Sequence, residues 1–140
     1  QEIFYRRDDV LVASIHGDQM DAYPYFAGHA DETGEGPGEG FNVNYALPPG
    51  TAYARRAEAL DDAIARIRAF GAEALVVSLG VDAYKDDPIS FFKLDSPDFL
   101  DCGRRIGRIG LPTVFCMEGG YAIEQVGVNA VNVLEGFADA

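Results

Sequence analysis

The side chains with both the type and the placement for chemistry mostly follow short apolar runs. Asp82 comes directly after ALVVSLGV, where a carboxylate at a strand tip would hold a hard or borderline cation. The alternative is a turn or helix-cap acid. Tyr121 follows TVFCMEGG; its hydroxyl would donate to a developing oxyanion, and Gly119 and Gly120 would let a substrate approach closely. The alternative there is a core tyrosine. Ser14, His16 and Asp18 close a third run, Asp87 lies five residues beyond Asp82, and Glu118 precedes the glycine pair. His16 and His29 are candidate ligands or bases, although two isolated histidines in a loop are more often structural.

The elements that must position these groups are legible from periodicity. Val10–Ile15, Ala74–Leu79 and Thr113–Met117 are continuous apolar runs, the pattern of parallel strands buried on both faces. Thr51–Phe70 reads as a helix, with Tyr53, Ala57, Leu60, Ile64 and Ile67 on one face and Arg55, Arg56, Glu58, Asp61, Asp62 and Arg66 on the other, stopped by Gly71. Ser96 as N-cap followed by Pro97 and Asp98 opens a helix to about Ile109, with Gly110 as its stop. A last helix runs from about Ile123 to Phe137 on a stripe of Val126, Ala130, Val133, Leu134 and Phe137. The order describes a doubly wound parallel α/β sheet, in which ligands gather at the C-terminal ends of the strands, where the candidates stand. Three strands make a thin sheet, so the reading expects more of it outside these residues. His16–Pro49 shows no convincing periodicity and reads as a long functional loop.

Composition narrows the function classes. Acids outnumber bases 23 to 11, a net charge of −12, which disfavours nucleic acid and anionic membrane as partners and suits a cationic one. No apolar run reaches the ~18 to 20 residues of a membrane span, and the first ten residues lack a signal-peptide core. Cys102 and Cys116 form no CxxC pair and read as small buried hydrophobes, which fits a reducing cytoplasm. The run GEGPGEG joins no strand to a helix and carries Pro37 at its centre, which rules out a phosphate-binding loop. The acids around it, Asp31, Glu32, Glu35 and Glu39, are either a solvated rim or an electrostatic funnel for a cationic substrate.

Three blocks together go further: Ser14–Thr51, SLGVDAYKDDPISFFKL from Ser78 to Leu94, and EGGYAIEQVGVNAVNVLEGF from Glu118 to Phe137. In order and spacing they resemble the zinc-dependent histone deacetylase superfamily, most closely its bacterial acetylpolyamine amidohydrolases, over nearly the whole sequence. The resemblance implies an arginase/deacetylase-like fold and hydrolysis of an acetylamide on an amine or lysine. It assigns Asp82 in SLGVD to the family's last zinc-binding aspartate and Tyr121 in EGGY to the tyrosine that stabilises the oxyanion. Asp87 in DDP matches an acid that the family holds behind its metal ligands, and Ile89 a wall of the substrate tunnel. Tyr23 in AYPYF matches the aromatic flank of the acetylated side chain, where phenylalanine is commoner, and Gly119 and Gly120 line the pocket. Structural monovalent cations, potassium among them, are implied at two sites. Ser14 and the Ile15 carbonyl match one, and the carbonyls of Phe4, Arg7, Val10 and Phe41 match the other.

The family's remaining zinc ligands lie in an Asp-x-His-His-Gly-Asn-Gly-Thr-like run whose end would abut Gln1, and its tandem catalytic histidines lie further upstream. The resemblance therefore describes residues 1–140 as the C-terminal portion of one amidohydrolase domain, expected to bind zinc poorly and to be inactive when isolated. The implied substrate is a small cationic acetylated amine, with acetyl-lysine in proteins as the alternative, and a homodimer is expected by analogy. A non-catalytic binding module is the rival from another class.

Overall fold

The computed structural model describes residues 1–23 and 25–140, and these fall into two compact units, Gln1–Pro49 and Gly50–Ala140. In the first, a 3-10 turn (Glu2–Phe4) precedes strand β1 (Val12–Gly17), and a second turn (Gly36–Gly38) precedes β2 (Asn42–Leu47). The two strands pair in parallel from Val12 opposite Asn42 to Gly17 opposite Leu47. Strand β1 thus starts two residues later than the apolar run predicts and ends two residues further on. Pairing sets its limits, since Val12 N–H meets Phe41 O at 2.9 Å and Asp18 N–H meets Leu47 O at 2.8 Å.

Strand β2 lies inside the stretch read as one long loop, and its interior is polar. Asn42 and Asn44 are buried on one face. Asn42 Nδ2 donates to Gln1 Oε1 (3.2 Å) and Glu32 O (2.6 Å), and Asn44 Nδ2 to Gln1 Oε1 (2.7 Å) and His29 O (3.0 Å). Their Nδ2 donors are thus bonded, while Asn42 Oδ1 has no partner among the described residues, and polar side chains in these buried positions leave no apolar alternation in the sequence. The GEGPGEG run packs backbone on backbone: a Cβ at Gly38 would stand 2.4 Å from Tyr5 O.

In the second unit the order is β3 (Thr51–Ala52), α1 (Tyr53–Phe70), β4 (Leu75–Leu79), β5 (Phe92–Lys93), α2 (Ser96–Gly107), β6 (Thr113–Met117) and α3 (Ile123–Ala138). β3 pairs with β5 and β4 with β6, both in parallel. Gly71 ends α1 in a left-handed conformation, φ 76°, donating back to Arg68 O and Ile67 O. The N-cap of α2 is Asp95 rather than Ser96. Asp95 and Asp98 form a reciprocal capping box, in which a carboxylate outcompetes the hydroxyl one position later, and the helix stops at Gly107, short of Ile109. Thr51 and Ala52 belong to a short strand, so α1 begins at Tyr53.

The core of this unit is Ile64 with Ala57, Ala59 and Ala63 of α1, then Leu79, Val81, Phe92, Leu94, Phe99, Cys102 and Val133. Helices α2 and α3 pack backbone to backbone: a Cβ at Gly136 would lie 2.0 Å from Leu100 O. Arg105 of α2 donates to Asp101 (2.7 Å) and to Asp61 of α1 (2.7 Å), while Tyr53 hydrogen-bonds the same Asp101. Expected burial on both sheet faces is met on one side only, because Val76, 71% exposed, and Val114 face outward in this chain. Cys102 is buried as expected, but Cys116 shares that open face and is exposed. No helix among the described residues is long and apolar enough to cross a membrane.

Candidate active site

The β4–β6 ladder continues past both strands and brings their tips together. Glu118 N–H donates to Leu79 O (3.0 Å) and Val81 N–H to Gly119 O (2.8 Å), so the segment carrying Asp82 is tied to the one carrying Gly119, Gly120 and Tyr121. Parallel pairing is the physical cause of the convergence, since both strands end at the same edge. Asp82 lies against Gly119 so closely that a Cβ there would stand 2.2 Å from Asp82 Oδ2. Any other residue at position 119 would displace the carboxylate. Gly120, with φ 148°, has equally little room, because its Cβ would meet Val81 Cγ2 at 2.6 Å and Val126 Cγ2 at 2.8 Å.

Asp82 is half-buried, and burial is the main cause that pushes its pKa up; the neighbouring charge of Asp87 adds to this, and Glu118 contributes less. Its own backbone amide and the Arg56 guanidinium pull the other way. Among the described residues no basic side chain forms an ion pair with Asp82. Arg56, placed by its helix periodicity on the solvent face, is a residue that sequence reasoning missed. It is half-buried, donates to Cys102 Sγ at 3.3 Å, and raises the local positive potential at Asp82. Its only sequence signal was a cation one residue before the buried Ala57.

Asp87 is 6% exposed, and its carboxylate is fully engaged with backbone. Oδ2 accepts from Tyr121 N–H (2.7 Å) and Ala122 N–H (2.9 Å), and Oδ1 from Ile89 N–H (3.1 Å). Helix α3 has no side-chain cap of its own. Asp87 therefore anchors the segment entering that helix and with it the backbone of Tyr121. Tyr121 is 52% exposed among these residues, and Ile89, next but one to Asp87, is exposed as well. Ala122, Ile123, Glu124 and Gln125 line a shallow cavity with Tyr84 and Asp86.

The remaining candidates lie in the first unit. Ser14 Oγ bonds His16 Nδ1 (2.8 Å), and His16 Nε2 bonds Gly28 O (2.9 Å), so both ring nitrogens are occupied and His16 is structural. His29 Nδ1 meets Gln19 Nε2 at 2.5 Å. Asp18 Oδ1 closes a turn by accepting from Met20 N–H (3.0 Å). Ile15 pairs with Tyr45 in the β1–β2 ladder. The Phe4 carbonyl accepts from Arg7 N–H (2.9 Å) and that of Phe41 from Val12 N–H (2.9 Å). Tyr23 is exposed and meets Tyr25 edge to face.

Parallel strand pairs connected by helices in this order make a fold of the arginase/deacetylase-like α/β class. Residues 1–137 match the histone deacetylase domain family, and the chain belongs to it. It is 63% identical over 140 residues, its whole length, to acetylpolyamine amidohydrolase 1 of Pseudomonas aeruginosa. It is 54% identical over 138 residues to the acetylpolyamine amidohydrolase of Mycoplana ramosa. The crystal structure of acetylpolyamine aminohydrolase from Burkholderia pseudomallei superposes with a TM-score of 0.96 at 48% identity, covering 99% of this chain and 40% of that one. The chain spans about 40% of the length of the curated relatives it matches.

Proposed function

We propose that this chain is the C-terminal portion of a zinc-dependent amidohydrolase that releases acetate from an acetylated amine, with acetylpolyamines as its substrate class. The observation that carries the reading is the strand-tip arrangement, in which Asp82 lies against Gly119 while Asp87 holds the backbone of a solvent-facing Tyr121. Asp82 fits a zinc ligand: it is a partly desolvated carboxylate, without an ion pair among the described residues, facing a position where only glycine fits. One carboxylate is not a zinc site. Catalytic zinc takes about three protein ligands, and no group of three or more His, Cys, Asp or Glu able to hold a metal occurs among the described residues. The other ligands, and the histidine base, are assigned to protein outside these 140 residues.

When bound, zinc supplies Lewis acidity toward the acetyl carbonyl and toward water. Tyr121 donates its hydroxyl proton as a hydrogen bond to the oxygen that gains charge as water adds to the carbonyl carbon. Asp87 fixes the reach of that hydroxyl through two backbone hydrogen bonds. The proton that the attacking water gives up to the base passes to the amide nitrogen, the C–N bond breaks, and acetate and the free amine leave. Ile89 and Tyr23 are assigned to the substrate chain, and Ser14, Ile15, Phe4, Arg7, Val10 and Phe41 to structural potassium.

The net charge of −12 favours a small cationic amine over acetyl-lysine in a protein. The test is acetate release by the full-length protein from a monoacetylated diamine and from an acetyl-lysine peptide. Faster turnover of the diamine is expected. Preference for the peptide would replace the substrate class, and hydrolysis of neither would overturn the activity.

A further inference from the structure

A cavity of about 300 Å³ in the second unit has no part in this reading. It lies between the turn that follows Asp82 and the start of α3, with Tyr84 and Asp86 on one wall and Ala122, Ile123, Glu124 and Gln125 on the other. Backbone hydrogen bonds fix the first wall: Tyr84 N–H donates to Val81 O (3.2 Å), Lys85 N–H to Leu94 O (2.9 Å) and Asp87 N–H to Tyr84 O (3.0 Å). Asp87 fixes the second, since its Oδ2 accepts from both Tyr121 N–H (2.7 Å) and Ala122 N–H (2.9 Å). The cavity is therefore preformed, and its lining begins at the residue next to Tyr121.

The lining selects the occupant. Tyr84 contributes an aromatic ring and Ile123, 88% exposed, a bare aliphatic side chain. Asp86 and Glu124 contribute two carboxylates, neither of them in an ion pair among the described residues, and no lysine or arginine lines the cavity. Lys85, adjacent in sequence, is committed to Asp95 at 2.6 Å. The positive end of α3, which by itself favours an anion, is already met by Asp87. An anion is thus repelled, and a neutral ligand leaves both carboxylates without a counter-charge. An alkylammonium matches the whole lining: its charge is attracted to Asp86, Glu124 and the Tyr84 ring, and its methylenes pack on Ile123.

We propose that this cavity is a subsite for the protonated, unreacted end of an aliphatic diamine or polyamine substrate, with Asp86 and Glu124 as specificity-determining residues. The proposal rests on the deacetylase reading above and assigns the residues that tell a charged substrate tail from a neutral one. The experiment measures kcat/KM in the full-length enzyme for two acetamides of equal length, a monoacetylated diamine and its hydroxyl-ended analogue. Wild type is compared with Asp86→Asn, Glu124→Gln, the double variant and Glu135→Gln. The last removes the same charge from α3 about 16 Å further along the helix axis, beyond the Debye length at physiological salt. Asp86→Asn and Glu124→Gln are each expected to reduce the preference for the charged substrate by about two- to fivefold, through KM, and the double variant by more. The reduction shrinks at high salt, and Glu135→Gln retains the wild-type preference. An unaltered preference in the double variant, or equal losses on both substrates, overturns the subsite while leaving the deacetylase reading in place. A loss in Glu135→Gln as large as that in Glu124→Gln also overturns it, because the effect then belongs to net charge and not to the cavity. Hydrolysis of neither acetamide by the wild type overturns the deacetylase reading and this subsite with it.

Discussion

Glu32 in the first unit and Asp82 in the second are both partly buried carboxylates, and their pKa values move in opposite directions. Burial pushes both up. At Glu32 it is outweighed by hydrogen bonds to one oxygen from Gln1 Nε2 (2.7 Å), Gly28 N–H (2.8 Å) and His29 N–H (3.0 Å), and the net shift is downward. At Asp82 the nearby charge of Asp87 adds to burial instead, and the value stays raised. The same contrast separates His16, with both nitrogens bonded, from Tyr121, whose backbone is held while its ring faces solvent. A polar group whose bonding capacity is filled by its own fold holds structure. One that is desolvated and left unfilled is available to a ligand.

Breaking the second half of the contrast has the larger consequences. Tyr121→Phe in the full-length enzyme is expected to lower kcat by about 10² to 10³, the usual cost of one lost oxyanion donor, with metal content unchanged. Asp87→Asn keeps size and replaces one acceptor oxygen with a donor facing backbone N–H groups. It is expected to cost about 10- to 100-fold in kcat, as other supporting groups do. In a Tyr121→Phe background the same change should cost much less, because its effect passes through that hydroxyl. Full additivity in the double variant would make Asp87 purely structural. Glu32→Gln should leave kcat within about twofold and cost about 1 kcal/mol of stability at neutral pH. Its depressed pKa means that the wild-type contribution is fully present above about pH 4.5 and is lost as pH falls through the folded-state value. Protection of the Gly28 and His29 amides, measured relative to their intrinsic exchange rates, should fall over that acid range in the wild type and be weaker and independent of that titration in the variant.

The sequence was most informative where structure repeats. Strand β6 and the Gly71 stop of α1 fall where periodicity places them, and Asp82, Tyr121 and Asp87, which the resemblance singles out, stand beyond the paired strands β4 and β6. It was least informative where polar side chains do the work of apolar ones. Strand β2 hides behind Asn42 and Asn44, whose partners Gln1, His29 and Glu32 lie 10 to 43 positions away. The position of Arg56 near Asp82 depends likewise on packing between α1 and α2 that no spacing encodes. The anchoring of Tyr121 by Asp87 spans 34 positions and is a property of the paired strand tips.

The central claim is that Asp82 is available to a metal whereas Glu32 is occupied by its own fold. Calorimetric titration of zinc into metal-free full-length protein tests it most directly, with wild type, Asp82→Asn and Glu32→Gln compared. The account predicts wild-type affinity for Glu32→Gln and a loss of at least about 100-fold for Asp82→Asn, more than the 10- to 100-fold typical of outer groups. Equal affinities for the wild type and Asp82→Asn would contradict it.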